Sequence, residues 1–176
     1  MGGEVQLPPF GRKNRKTQKE ITTMPLPNIF TAEVSENVIA RINKLTPQSQ
    51  PQWGKMSVDK MLAHCSVAYE TIYEPGKHPR SNPVMRWFMR LLVKPLVTGE
   101  KPLRKNSPTA PYFIVAADKD FEAEKARLIA FIRQTQQLGE REFDGKESLG
   151  FGTLNKTEWN NMLYKHLDHH LTQFGV

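Results

Sequence analysis

The chain has five histidines: His64, His78, His166, His169 and His170. Two of them, His166 and His170, lie one helical turn apart in the segment running from Trp159 to Phe174. With about 100° per residue and Trp159 set at zero, His166 falls near −20° and His170 near +20°. Met162, Leu163, Leu167 and Phe174 flank them, so both imidazoles sit in the middle of an apolar stripe that must face the protein interior. Burying a polar ring without a partner costs roughly 1–3 kcal/mol. Spacing of i, i+4 lets both rings ligate one ion at about 2.0–2.1 Å; the alternative is that each ring hydrogen-bonds to neighbouring side chains. Three neutral imidazoles on one divalent ion would leave it a net positive charge and an open position, the arrangement of a catalytic site and not of a closed structural one. Such an ion lowers the pKa of a bound water or substrate thiol.

The third ligand must come from another element. His64 lies on the flank of a second helical stripe and is the natural third corner, whereas His78, between Gly76-Lys77 and Pro79, is expected in an exposed turn. His169 falls near −80°, at the edge of the stripe, and Gln173 near −40°, on the same face as the pair, where it either orients a histidine or ligand or closes a core hydrogen bond. The protease zinc motif His-Glu-x-x-His is not matched, because Leu167 follows His166. No glutamate is nominated as general base. Cys65 points about 100° away from His64 and reads as a small buried apolar residue.

Four helical patterns can position these residues. The first, over 32–45, carries Val34, Val38, Ile42 and Leu45 and is stopped by Pro47 and Pro51. The second opens at Ser57 as N-cap, carries Met61, Cys65, Ala68 and Ile72, and ends at Pro75-Gly76. The third begins after Asp118, carries Phe121, Leu128, Ile129, Ile132 and Leu138, and closes at Gly139. The last starts near Asn155 or Thr157 and runs to about Phe174, with Asn155 and Glu158 at capping-box spacing. A crossover of about forty residues joins the second and third. Within it, 83–97 reads as a short apolar helix with Arg86, Arg90 and Lys94 on one side, and Tyr112–Ala116 as an extended piece without a partner strand. The expectation is an all-α four-helix bundle with a long crossover carrying an extra short helix.

Length and composition agree with one such domain. The 176 residues are 38% apolar and 24% charged with three tryptophans, which argues against a disordered chain. A single cysteine excludes an internal disulfide framework and a four-thiolate zinc site. The net charge of +7 is concentrated. Residues 1–23 carry five bases against two acids, and residues 76–105 carry eight bases against Glu100, so the remainder is net negative. That distribution weakens a nucleic-acid reading, and no helix-turn-helix, zinc finger or aromatic stacking platform is present to rescue it. Residues 1–23, rich in bases, glycine and proline, are expected to be a disordered basic extension, with 24–176 as one domain and Met24 as an alternative start. With no secretory signal and no run of the roughly 18 apolar residues that span a bilayer, a cytoplasmic address is expected.

The segments Trp53-Gly54-Lys55-Met56-Ser57-Val58-Asp59-Lys60-Met61-Leu62-Ala63-His64-Cys65 and Lys165-His166-Leu167-Asp168-His169-His170-Leu171-Thr172-Gln173-Phe174-Gly175 resemble the second-helix and C-terminal signatures of the DinB/YfiT-like superfamily. The resemblance covers residues 30–176. It implies a four-helix bundle holding a divalent metal, zinc or nickel, on three histidines. His64 matches the ligand on the second helix, His166 and His170 match the pair on the last, and His169 matches a non-ligating family histidine. Members with known activity include metal-dependent thiol transferases and a maleylpyruvate isomerase, but their substrate-binding residues are not identifiable in this chain.

Two functional expectations follow. One is a metal-dependent transferase, joining a thiol to a small electrophile, or a hydrolase of a small molecule. The other is a binding module in which the helix 83–97 docks on a partner or an anionic surface through Trp87, Phe88, Leu91 and Leu92, with Arg86, Arg90 and Lys94 beside them. The plainer alternative for that helix packs it on the bundle with its bases in solvent. Homodimerisation through exposed apolar helix faces is a further expectation.

Overall fold

The structure, a computed structural model, describes residues 26–176 and is predominantly helical. The expected extension 1–23 and the domain start at 24 lie outside the described residues. Helix α1 (Ala32–Asn43) is capped by Thr31, whose side chain accepts from the amide of Val34. Helix α2 (Val58–Tyr73) begins after Ser57 as expected, yet Ser57 makes no side-chain capping bond. The crossover contains α3 (Pro83–Phe88), a π-helical turn over Met89–Val93 and α4 (Lys94–Thr98), one continuous helical rod. Helix α5 (Phe121–Leu138) starts later than Asp118 because Asp120 is the cap, accepting from the Ala123 amide at 2.8 Å. Asp118 instead pairs with Lys60. A short α6 (Glu140–Phe143) follows Gly139, whose φ of +73° makes the turn. Strands β1 (Glu147–Ser148) and β2 (Gly152–Thr153) pair antiparallel before α7 (Lys156–Gln173). The Asn155–Glu158 capping box is present in full.

Residues on one face of each long helix form the core: Ile39 and Ile42 of α1, Met61, Leu62, Cys65 and Tyr69 of α2, Leu128 and Ile132 of α5, and Trp159, Leu163, Leu167 and Leu171 of α7. Each fully buried aliphatic side chain contributes about 1.5–3 kcal/mol. The apolar positions of α7 fix its rotation, and with it the direction of His166 and His170.

Polar groups on α7 tie the rest of the chain to it. Arg41 of α1 reaches Asp168, Thr172 and the Val176 carbonyl. The Asn160 Oδ1 accepts from the Ile29 amide. Asn161 donates to the Thr98 carbonyl, and buried Lys165 donates to the carbonyls of Leu96 and Gly99. The last two contacts satisfy acceptors left open at the C-terminal end of α4.

Two expectations are corrected. Tyr112–Ala116 is extended only in part: Pro111–Phe113 form a 3-10 turn, Ile114 has extended backbone, and residues 114–116 belong to no strand. With no strand beside it, the segment closes its own hydrogen bonds, Phe113 N–H to Ala110 and Ile114 N–H to Pro111. The crossover helix does not leave all its bases in solvent either: Arg86 and Lys94 are partly covered, and Arg90 alone stays exposed. Arg86 pairs with Glu147, Lys94 with Glu158, and the Arg90 guanidinium lies against the backbone of Gly152. The helix therefore turns its basic side toward the hairpin and α7, and its apolar side outward. Pro95 explains the π turn: it has no amide hydrogen and its ring crowds the carbonyl four residues back, and Lys94 N–H bonds to the Met89 carbonyl in an i to i+5 pattern.

Candidate metal centre

The side chains of His64, His166 and His170 converge between α2 and α7. One ring nitrogen from each lies within 4.8 Å of the others. The ring centroids form a nearly equilateral triangle with sides of 5.0, 4.7 and 4.9 Å. His64 Nε2 and His166 Nε2 face each other at 3.0 Å. Two ligands at about 2.0–2.1 Å on a tetrahedral ion stand about 3.3 Å apart, so the donor set fits one ion with little adjustment.

The outer ring nitrogens decide which nitrogen carries a lone pair. His64 Nδ1 lies 2.9 Å from the Phe113 carbonyl oxygen. A carbonyl only accepts, so His64 Nδ1 holds the proton and Nε2 presents its lone pair inward. His170 is fixed by a longer relay. The Gln173 amide donates through Nε2 to the Trp53 carbonyl at 2.7 Å, which sets the orientation of the amide. Its Oε1 must then face His170 Nδ1, at 2.9 Å, and accept from it. His170 Nε2 is thereby left unprotonated. Carbonyl and amide partners of this kind orient metal-binding imidazoles and fix their tautomers.

Burial keeps the rings neutral. His64 and His170 are 5% and 8% exposed, and His166 is partly buried. Burial lowers His64, opposed by its bond to Phe113. Burial and the neighbouring rings hold His166 well below the ordinary value. Burial and His64 push His170 down to about 3, against the bond to Gln173. Neutral imidazoles are the ligating form.

Gly54, with φ of +80°, packs against this relay: a Cβ there would stand 2.9 Å from Gln173 Nε2. Trp53 meets His169 edge-on, and the Lys105 ammonium sits 4.1 Å over the Trp53 ring. Phe113 packs against two of the rings, with its ring centroid 5.2 Å from that of His64 and 5.7 Å from that of His166.

All three histidines expected as ligands are thus brought together, and His169 stays outside the triangle, against His170. Gln173 orients a histidine, one of the two roles its position allowed. What sequence reasoning missed is the pair of backbone acceptors, Phe113 and Trp53, whose carbonyls carry no side-chain signature; the turn prolines nearby were the only hint. His78 is a correction. Its Nε2 lies 2.6 Å from Glu70, a buried carboxylate of α2 that also meets Lys77 and Arg127, so the turn residues around it are exposed as expected but the His78 side chain itself is folded onto α2. Cys65 is buried with its Sγ 3.8 Å from the Met61 sulfur, and burial pushes its thiol far up. It is no nucleophile.

A family model described as a protein of unknown function (DUF1569) matches residues 29–175. No curated protein and no solved structure matches the chain.

Proposed function

The chain belongs to the DUF1569 family, a family of unknown function, and we propose that it is a divalent-metal protein, with zinc or nickel held by His64, His166 and His170. On this reading it is a metal-dependent transferase of DinB-like four-helix-bundle type that joins a small thiol to an electrophile. The observation that carries the reading is the convergence of three imidazoles, two of which already have their proton committed to an outward acceptor.

When bound, a divalent ion on three neutral ligands supplies Lewis acidity, lowering the pKa of a water or thiol at its open position. The protein's own residues do the rest. Phe113 and Gln173 hold two rings in the ligating tautomer, and Trp53 holds Gln173. Phe113 packs its ring beside His64 and His166. We place transfer of a thiol ahead of hydrolysis because the cluster of three histidines nominates no general base for water. A thiol, with an ordinary pKa near 8.5, needs much less help. The thiol must come from the substrate, since Cys65 is buried in the core.

Elemental analysis of protein from metal-replete growth tests the reading. About one divalent ion per chain is expected, lost from His64→Ala and from His166→Ala. Thiol consumption with a panel of small electrophiles then tests the transferase step: turnover that disappears with the ion supports it, and metal-independent turnover contradicts it.

A further inference from the structure

Among the described residues, nine large apolar side chains are strongly exposed, and seven of them lie on the helical rod of the crossover: Val84, Met85, Trp87, Phe88, Leu91, Leu92 and Leu96, between 48% and 76% exposed. This face is not a frayed segment. The rod is capped by Asn82, held along its basic side by Glu147 and Glu158, and tied at its C-terminal end by Asn161 and Lys165. Its rotation is therefore set by contacts on the opposite side, and the apolar face is presented outward by design of the fold.

We propose that this face is the interface with a second copy of the same chain, packed face to face about a two-fold axis. Area supports it. Large side chains of roughly 150–250 Å², about half exposed, leave on the order of 100 Å² each, so seven leave about 700 Å². That exceeds the patch of about 300–600 Å² found on a typical monomer, and approaches the about 800 Å² that each partner of a standard interface covers. Charge decides between occupants. A helix that lies on an anionic bilayer keeps its bases at the border of the apolar face, free to reach phosphates. Here two of the three bases of the rod, Arg86 and Lys94, are turned the other way onto carboxylates, and the third, Arg90, is exposed but lays its guanidinium against Gly152. The face they leave behind is apolar and matches itself, as a two-fold contact requires. The proposal does not depend on the metal site.

Sedimentation of the full chain at micromolar concentration tests it. The wild type is expected at about twice the chain mass of 20.2 kDa. The double variant Trp87→Glu with Leu91→Glu, and Leu96→Glu alone, are expected to be monomeric with unchanged far-ultraviolet circular dichroism, because the replaced side chains touch solvent. Leu138→Glu, an exposed apolar position on α5, should leave the dimer intact. The proposal is overturned by a monomeric wild type, by a dimer that survives both interface variants, by a dimer that Leu138→Glu dissociates equally, or by wild-type monomer that instead binds vesicles of acidic phospholipid.

Discussion

Replacing Gln173 separates the relay that sets His170 from the burial that surrounds it. In the wild type the Gln173 amide makes two bonds of opposite sense, accepting from His170 Nδ1 at 2.9 Å and donating to the Trp53 carbonyl at 2.7 Å. Gln173→Ala removes both. His170 then has no acceptor for its Nδ1 proton, and the tautomer with Nε2–H, which cannot ligate, is no longer disfavoured. Loss of such an outer partner lowers metal affinity about 10- to 100-fold, or about 1.4–2.8 kcal/mol. The stranded polar groups cost the fold a further 1–3 kcal/mol or so. Gln173→Glu discriminates further. A carboxylate still accepts from His170 Nδ1, so affinity should stay within a few-fold of wild type. It cannot donate to Trp53, so stability should fall as in the alanine variant. Competition against a chromophoric chelator at fixed pH reads the affinity, and thermal denaturation of the metal-free protein reads the stability. If Gln173→Ala binds metal as tightly as wild type, or if Glu and Ala lose affinity equally, the relay does not set the tautomer.

Other consequences follow from neighbouring residues. Gly54→Ala forces a Cβ to 2.9 Å from Gln173 Nε2 at φ +80°, a conformation costing about 1–2 kcal/mol for an ordinary L-residue; both the melting temperature and metal affinity should fall, whereas Gly76→Ala, with open space around it, should change only stability. Burial would raise the Glu70 carboxyl, but hydrogen bonds from Lys77, His78 and Arg127 outweigh it and hold its pKa below the ordinary carboxylate value. Its contribution is then fully present above that value and lost as pH falls through the lower folded one. Denaturant titrations should show Glu70→Gln about 1–3 kcal/mol less stable than wild type near pH 7, with the gap closing in the acid limb; a pH-independent gap would contradict the ion-pair account. Lys165→Met removes the ammonium that holds the Leu96 and Gly99 carbonyls, and limited trypsinolysis should cut within 94–105 faster than in wild type.

Periodicity alone placed His166 and His170 correctly, because α7 is a long regular helix whose apolar positions dictate its rotation. His64 was legible for the same reason, from the flank of α2. Long-range polar pairing was not legible. Nothing local to His78 announces a buried Glu70 eight residues earlier, and nothing near Arg86 or Lys94 announces Glu147 and Glu158. Those pairs turn Arg86 and Lys94 inward and leave the apolar residues outside, contrary to the packed alternative with solvated bases; Arg90 stays exposed. The β1–β2 hairpin has two residues per strand, too few for any alternation to register. The 3-10 turn that delivers the Phe113 carbonyl depends on where the crossover returns to α2, which only the assembled fold specifies.

The most direct test of the central claim is an anomalous diffraction map of crystals grown from protein with its native metal. A single peak is expected between the Nε2 atoms of His64, His166 and His170, at about 2.0–2.1 Å from each. A site lacking any peak, or a peak ligated through Nδ1 or by other residues, would contradict it.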